Sequence, residues 1–187
     1  MTEKGNERLV LVGVTGSISA YKAAEVVSSL VQRGHEVLVL MTRAAVRFVA
    51  PLTFEALSRR RVVVDPFDPE ATVGTEHISI ADRAALLAVA PATADAIARL
   101  AHGLADDMLT TTALALTVPM LVAPAMNDNM WRHPATVANV RTLRERGCRF
   151  VEPEEGMLAC GHVGMGRLAS PDRIVAAIEE ILASRPD

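Results

Sequence analysis

The chain has 187 residues, 50% of them hydrophobic and 22% charged, a folded composition that excludes an intrinsically disordered chain. Nineteen Lys and Arg against 22 Asp and Glu give a formal charge of -3. With basic residues scattered apart from Arg59-Arg60-Arg61, and only one Trp, one Tyr and four Phe for stacking, a nucleic-acid surface is excluded too.

The two cysteines, Cys148 and Cys160, have neither the CxxC spacing of a redox pair nor the paired spacing of a zinc site, so free thiols in a reducing compartment are expected. Met1 to Arg8 is polar and of mixed charge, without the apolar stretch and cleavage site of a secretory signal. No apolar run approaches the ~20 residues that cross a bilayer. The expectation is a cytoplasmic protein without a membrane partner, with a polar tail over 1–7 and one domain over 8–187.

Short apolar runs alternate with stretches of helical period, the habit of an α/β protein whose parallel sheet is covered on both faces. Leu9 to Val14 reads as a buried strand and Thr15 to Ser19 as a turn. Ala20 to Arg33 carries a helical stripe of Ala23, Val26, Val27, Leu30 and Val31, with Gly34 at the C-cap. Glu36 to Met41 is the second strand. Pro51 to Ser58 reads as a short helix, Val62 to Val64 as a short strand and Asp65 to Pro69 as a loop. Glu76 to Asp82 leads into a third strand at Leu86 to Ala90. A helix follows from Thr93, its N-cap, to about Ala101, and another is expected from Ala105 to Leu116. Pro119 to Ala123 is a strand, Pro134 to Arg146 a helix and Arg149 to Val151 a short strand. Gly156 to Arg167 reads as a Gly-rich loop that could serve as a mobile flap. Ser170-Pro171-Asp172 then opens the last helix.

Five constellations could carry chemistry. Gly13-Val14-Thr15-Gly16-Ser17, between a strand and a helix, is either a tight turn or a phosphate cradle, and it matches neither GxGxxG nor a Walker loop. Ala90 to Asp95 repeats the pattern of a strand end opening into small residues, which in a parallel sheet lies on the ligand-binding edge. Pro124-Ala125-Met126-Asn127-Asp128-Asn129-Met130-Trp131 is either core and interface filler or a segment whose Asn holds a carboxylate. His77, entering the third strand near the same edge, is a surface residue or an acid-base group. Cys160, in a glycine-rich stretch, is an acid, a nucleophile or inert. With His162 alone beside it, it lacks the further ligands a metal needs.

Gly16-Ser17-Ile18, His77, Ala90 to Ala94, Gly103 to Thr110, Pro124 to Trp131 and Leu158-Ala159-Cys160-Gly161 together resemble the homo-oligomeric flavin-containing cysteine decarboxylases, over about Arg8 to Leu182. Within that family the resemblance is greatest to the branch that serves coenzyme A biosynthesis. It implies a single doubly wound, Rossmann or flavodoxin-like α/β domain with a mostly parallel sheet. It implies FMN held by Gly16, Ser17, Ile18, Thr42, Thr93, Ala94, Asp95, Ala96 and Ala125. It further implies a catalytic His77, a carboxylate-binding Asn127 and a proton-donating Cys160, with Met130, Ala159 and Gly161 against the substrate. The implied reaction is decarboxylation of 4'-phosphopantothenoylcysteine to 4'-phosphopantetheine, in a trimer or dodecamer. The alternatives are decarboxylation of a peptide's C-terminal cysteine and a non-catalytic flavin-binding regulatory subunit. His162 stands where many relatives carry Asp. With the chain ending at Asp187, the CTP-dependent ligase domain fused to many bacterial relatives is expected to be absent, leaving a separate ligase to supply the substrate.

Overall fold

The computed structural model describes residues 9–64 and 76–184. The expected tail at residues 1–7 and the loop at Asp65 to Pro69 lie outside them. Five parallel strands form one sheet: β1 (Leu9–Val14), β2 (Glu36–Met41), β3 (Ala84–Ala92), β4 (Met120–Pro124) and β5 (Arg149–Phe150). Their order is β2-β1-β3-β4-β5, so the fold is a doubly wound α/β domain of the flavodoxin-like kind.

The two-residue period of the strands divides the core. Val10, Val12 and Val14 of β1, with Leu86, Ala88 and Ala90 of β3, face an apolar cluster shared with α1 (Ala20–Gln32), α2 (Pro51–Ser58) and α8 (Pro171–Ala183). Leu9, Leu11, Leu87 and Val89 point to the opposite face, against α4 (Ala94–His102), α5 (Met108–Ala115) and α7 (Pro134–Glu145). Every residue of β1 and β3 is buried, which is why both read as unbroken apolar runs. Thr93 Oγ1 caps α4 by accepting from the Ala96 N–H at 3.2 Å, and Ser170 caps α8 the same way through the Arg173 N–H. No helix among the described residues is long and apolar enough to cross a membrane.

Four sequence expectations need correction. Glu76 to Asp82 does not simply lead into the third strand but forms a helix, α3 (Glu76–Arg83), with Ile80 and Ala81 buried. Val62 to Val64 supplies one bridge, Leu40 to Val63, rather than a strand. A short helix, α6 (Asp128–Arg132), stands directly after Asn127 where none is expected. The Gly156 to Arg167 loop is an antiparallel hairpin of β6 (Glu154–Met157) and β7 (Val163–Arg167), with Glu154 paired to Arg167 and Met157 to Val163. Its inward positions are Gly164 and Gly166, so the alternation that marks a strand carries no apolar side chains there.

Candidate active site

The site grows from the point where strand order reverses, between β1 and β3. Thr15, just beyond β1, ties the two strand ends together. Its hydroxyl donates to the Pro91 carbonyl at 2.7 Å and accepts the Thr93 N–H at 3.1 Å. Its own N–H reaches the same Pro91 carbonyl at 3.3 Å. Gly16 follows because the turn runs against the loop after β2: a Cβ there would fall 2.5 Å from the Ala44 Cβ. Two clefts flank this turn.

The first cleft, about 560 Å³, is lined by Thr15, Gly16, Thr42, the start of α4 from Thr93 to Ala96, and Met130. Arg99 also faces it but is tied to Asp106 and, at 2.8 Å, to Asp95. Those hydrogen bonds push the guanidinium further above its ordinary value and hold the Asp106 carboxyl below its own.

The second cleft, about 490 Å³, lies on the other side of the turn, where Ser17, Ile18, Tyr21 and Lys22 face Ala125, Asn127, Ala159, Cys160 and Arg167. Two remote segments meet here because β7 packs on the loop after β4. The Met126 N–H donates to the Gly166 carbonyl at 3.0 Å. Gly166 has a φ of +142°, and a Cβ on it would sit 2.2 Å from the Met126 carbonyl oxygen, so a larger residue would separate the segments.

The polar contacts at that junction form a chain. Asn127 caps α6, its Oδ1 accepting from the Asn129 N–H at 2.9 Å, and its Nδ2 donates to Cys160 Sγ at 3.3 Å. Cys160 Sγ lies 3.4 Å from His162 Nδ1, and His162 Nε2 lies 3.0 Å from Asp128 Oδ1. The His162 hydrogen bond holds the Asp128 carboxyl below its ordinary range. Cys160 is exposed, whereas Cys148 is half-buried and its thiol is pushed up by burial. No group of three or more His, Cys, Asp or Glu side chains is placed to hold a metal ion among the described residues.

The structure thus divides the residues singled out in the sequence. Gly16, Thr42, Thr93, Ala94, Asp95 and Ala96 line the first cleft, and Met130 joins them there rather than the cleft of Asn127. Ser17, Ile18, Ala125, Asn127, Ala159 and Cys160 line the second. Gly161 occupies the hairpin turn at a φ of +88° and lines neither. His77, half-buried on α3, also lines neither. Sequence reading missed Tyr21 and Lys22, which the spacing from Ile18 places on one face of α1, and it missed Asp128 as the partner of His162. The helical spacing could have found the first pair. Nothing local marks the second, whose members are 34 positions apart.

A model of the Flavoprotein family matches residues 1–183, and the chain belongs to that family. It is 52% identical over 178 residues to the coenzyme A biosynthesis bifunctional protein CoaBC of Bacillus subtilis (strain 168), an alignment covering 95% of this chain and 44% of that protein. The chain thus spans less than half the length of the curated relatives it matches. Among solved structures, the FMN-dependent cysteine decarboxylase SpaF superposes with a TM-score of 0.83 at 36% identity, over 95% of this chain and 97% of that one. A Cys-to-Ser mutant of PPC decarboxylase complexed with pantothenoylaminoethenethiol gives 0.84 at 28% identity, over 95% and 100%.

Proposed function

We propose that this chain binds FMN and decarboxylates 4'-phosphopantothenoylcysteine to 4'-phosphopantetheine, a step of coenzyme A biosynthesis. The observation that carries the reading is the hydrogen-bonded meeting of Asn127 and Cys160 in a cleft that adjoins, across one turn, a second cleft at the sheet's switch point. The likeness to CoaBC and to PPC decarboxylase supports this substrate class.

The residues present fit FMN. The first cleft has a volume within the roughly 300–1,000 Å³ common for cofactor sites. Small side chains at Gly16, Ala94 and Ala96 leave room for a flat ring, and Thr42 and Thr93 border it. Gly16, Ser17 and Ile18, at the start of the 13-residue α1, suit the phosphate. The chemistry supplied by bound FMN is an electron sink for the cysteinyl side chain, without which loss of carbon dioxide would leave an unstabilised carbanion.

The chain's own groups do the rest. Asn127 Oδ1 is already taken by the α6 cap, so the amide turns its NH2 toward the cleft. One of its hydrogens points to Cys160, leaving the other for the substrate carboxylate, which accepts only. Lys22 gives this cleft a cation suited to an anionic substrate, Arg167 being paired with Glu154. Cys160 supplies the proton that completes the saturated product. The catalytic histidine of this reading, His77, lies outside both clefts, so it reaches the reacting atoms from another copy of the chain. Exposed Ile18, Tyr21, Met130 and Met157 around the cleft mouths support self-association, as a trimer or dodecamer. Two free thiols suit the cytoplasm.

The test is carbon dioxide release by the FMN-loaded protein, offered either the phosphorylated substrate or a peptide ending in cysteine. Release from the first supports the proposal. Release from the peptide alone would assign the chain to peptide processing, and flavin binding with release from neither would leave a regulatory subunit.

A further inference from the structure

We propose that His162 and Asp128 are positioning residues that set the protonation of Cys160 and return its proton after each turnover. The proposal deepens the reading above and rests on it for the reaction served. Three groups from two segments line up here. Asp128 Oδ1 holds His162 Nε2 at 3.0 Å, and His162 Nδ1 stands 3.4 Å from Cys160 Sγ. An ionised carboxylate accepts only, so it fixes the hydrogen of the ring on Nε2 and leaves Nδ1 as the acceptor facing the thiol. This is the arrangement of a nucleophile or acid, a base and a group that orients the base.

The burial gradient gives the array a direction. The Asp128 side chain is 19% exposed and packed beneath the hairpin, where Gly164 leaves room for it, while His162 is 50% exposed. The ring therefore links a fixed internal charge to bulk water. Arg132 on α6 acts on the Asp128 carboxylate, and the thiol's cleft is shared with Arg167 on β7, which is paired with Glu154, and with Tyr21 and Lys22 on α1. Among the described residues, the hydrogen-bond partners of Cys160 Sγ are Asn127 and His162 and none of these cations.

The proton account closes. When Cys160 gives its proton to the product carbon, the S–H bond breaks, a C–H bond forms and a thiolate remains. His162 Nδ1 takes a proton from water and passes it to that sulfur, with Asp128 holding the transient imidazolium. One solvent proton is consumed for each carbon dioxide released, as replacement of a carboxylate by hydrogen requires. The electron pair borrowed from the substrate is returned, so no outside oxidant or reductant enters.

Cys160 alkylation by iodoacetamide, followed by peptide mass spectrometry across pH in the full chain, tests this without flavin or turnover. Cys148 serves as internal reference. Asp128→Asn keeps an oxygen for the His162 N–H and removes only the charge. It is expected to slow Cys160 alkylation at neutral pH about tenfold, because the thiolate is the nucleophile. His162→Asn should do the same, and Asp128→Glu should restore most of the rate. Unchanged Cys160 profiles in Asp128→Asn and His162→Asn, with unaltered circular dichroism, would overturn the proposal and leave the contacts a structural role. A shifted profile in a protein that releases no carbon dioxide would sink the reaction and keep the proton array. An unshifted profile in an active enzyme would sink the array alone.

Discussion

Asn127 donates its side-chain amide to Cys160 Sγ at 3.3 Å, bonding the loop after β4 to the tip of the β6–β7 hairpin across 33 positions of sequence. Asn127 also caps α6, so its two tasks can be separated. Asn127→Asp keeps a capping oxygen and is expected to hold stability within about 0.5 kcal/mol, while Asn127→Ala loses roughly 1 kcal/mol. Both should weaken substrate binding by about 10- to 100-fold, the loss of a hydrogen bond to a charged group. Thermal melts and substrate titration check this. Unaltered substrate affinity in Asn127→Asp would remove the carboxylate role.

Gly166→Ala is expected to cost roughly 2–4 kcal/mol, combining a left-handed φ with a clash against the Met126 carbonyl. Gly161→Ala meets no atom within 4 Å and should lose only the backbone preference, about 1 kcal/mol. Denaturant melts of the two variants measure the difference. Equal losses would mean that β7 can shift away from Met126 freely.

Acid should loosen the attachment of the hairpin to α8. Glu154 accepts from Arg167 at 3.0 Å, Arg173 at 2.9 Å and the Ser170 N–H at 3.2 Å, and the Arg167 bond foremost holds its carboxyl below the ordinary 4.5. The unfolded chain then binds the proton more readily. The stabilisation is full above the ordinary value and is lost as pH falls through the depressed one. Melting temperature followed between about pH 6 and pH 3 should fall less steeply in Glu154→Gln than in the wild type. Parallel curves would show that the cluster contributes nothing.

Cys160→Ser should still bind flavin and release carbon dioxide, but accumulate the oxidised enethiol. His77→Asn should stay yellow and lose decarboxylation. If the site is shared between copies, each variant chain lacks a different half of it. Mixed oligomers assembled from the two variants are then expected to recover saturated product that neither makes alone, measured by mass spectrometry. Mixtures as inactive as their components would place His77 and Cys160 at one site within a chain.

The sheet was legible because strands buried on both faces must be apolar at every position, as Leu9 to Val14 and Leu86 to Ala90 are. Helix ends were legible where caps are chemically marked, as at Thr93 and Ser170. The β6–β7 hairpin was hidden because close packing on Met126 and Asp128 demands glycines where an ordinary strand would bury side chains. α3 was hidden because it offers few apolar positions, Ile78, Ile80 and Ala81, and runs without a break into β3 at Ala84. The candidate site was legible residue by residue through motif resemblance. Its division into two clefts was not, because that depends on the approach of the turn at Gly16 to Ala44, a relation between segments.

The proposed reaction is redox-neutral: carbon dioxide leaves and every borrowed electron returns. The mass of the product formed by the purified, FMN-loaded wild-type chain from 4'-phosphopantothenoylcysteine under air tests this most directly. The account predicts a product lighter than the substrate by one carbon dioxide, with no net loss of hydrogen. A sole product lacking two further hydrogens, or unchanged substrate alongside bound flavin, would contradict it.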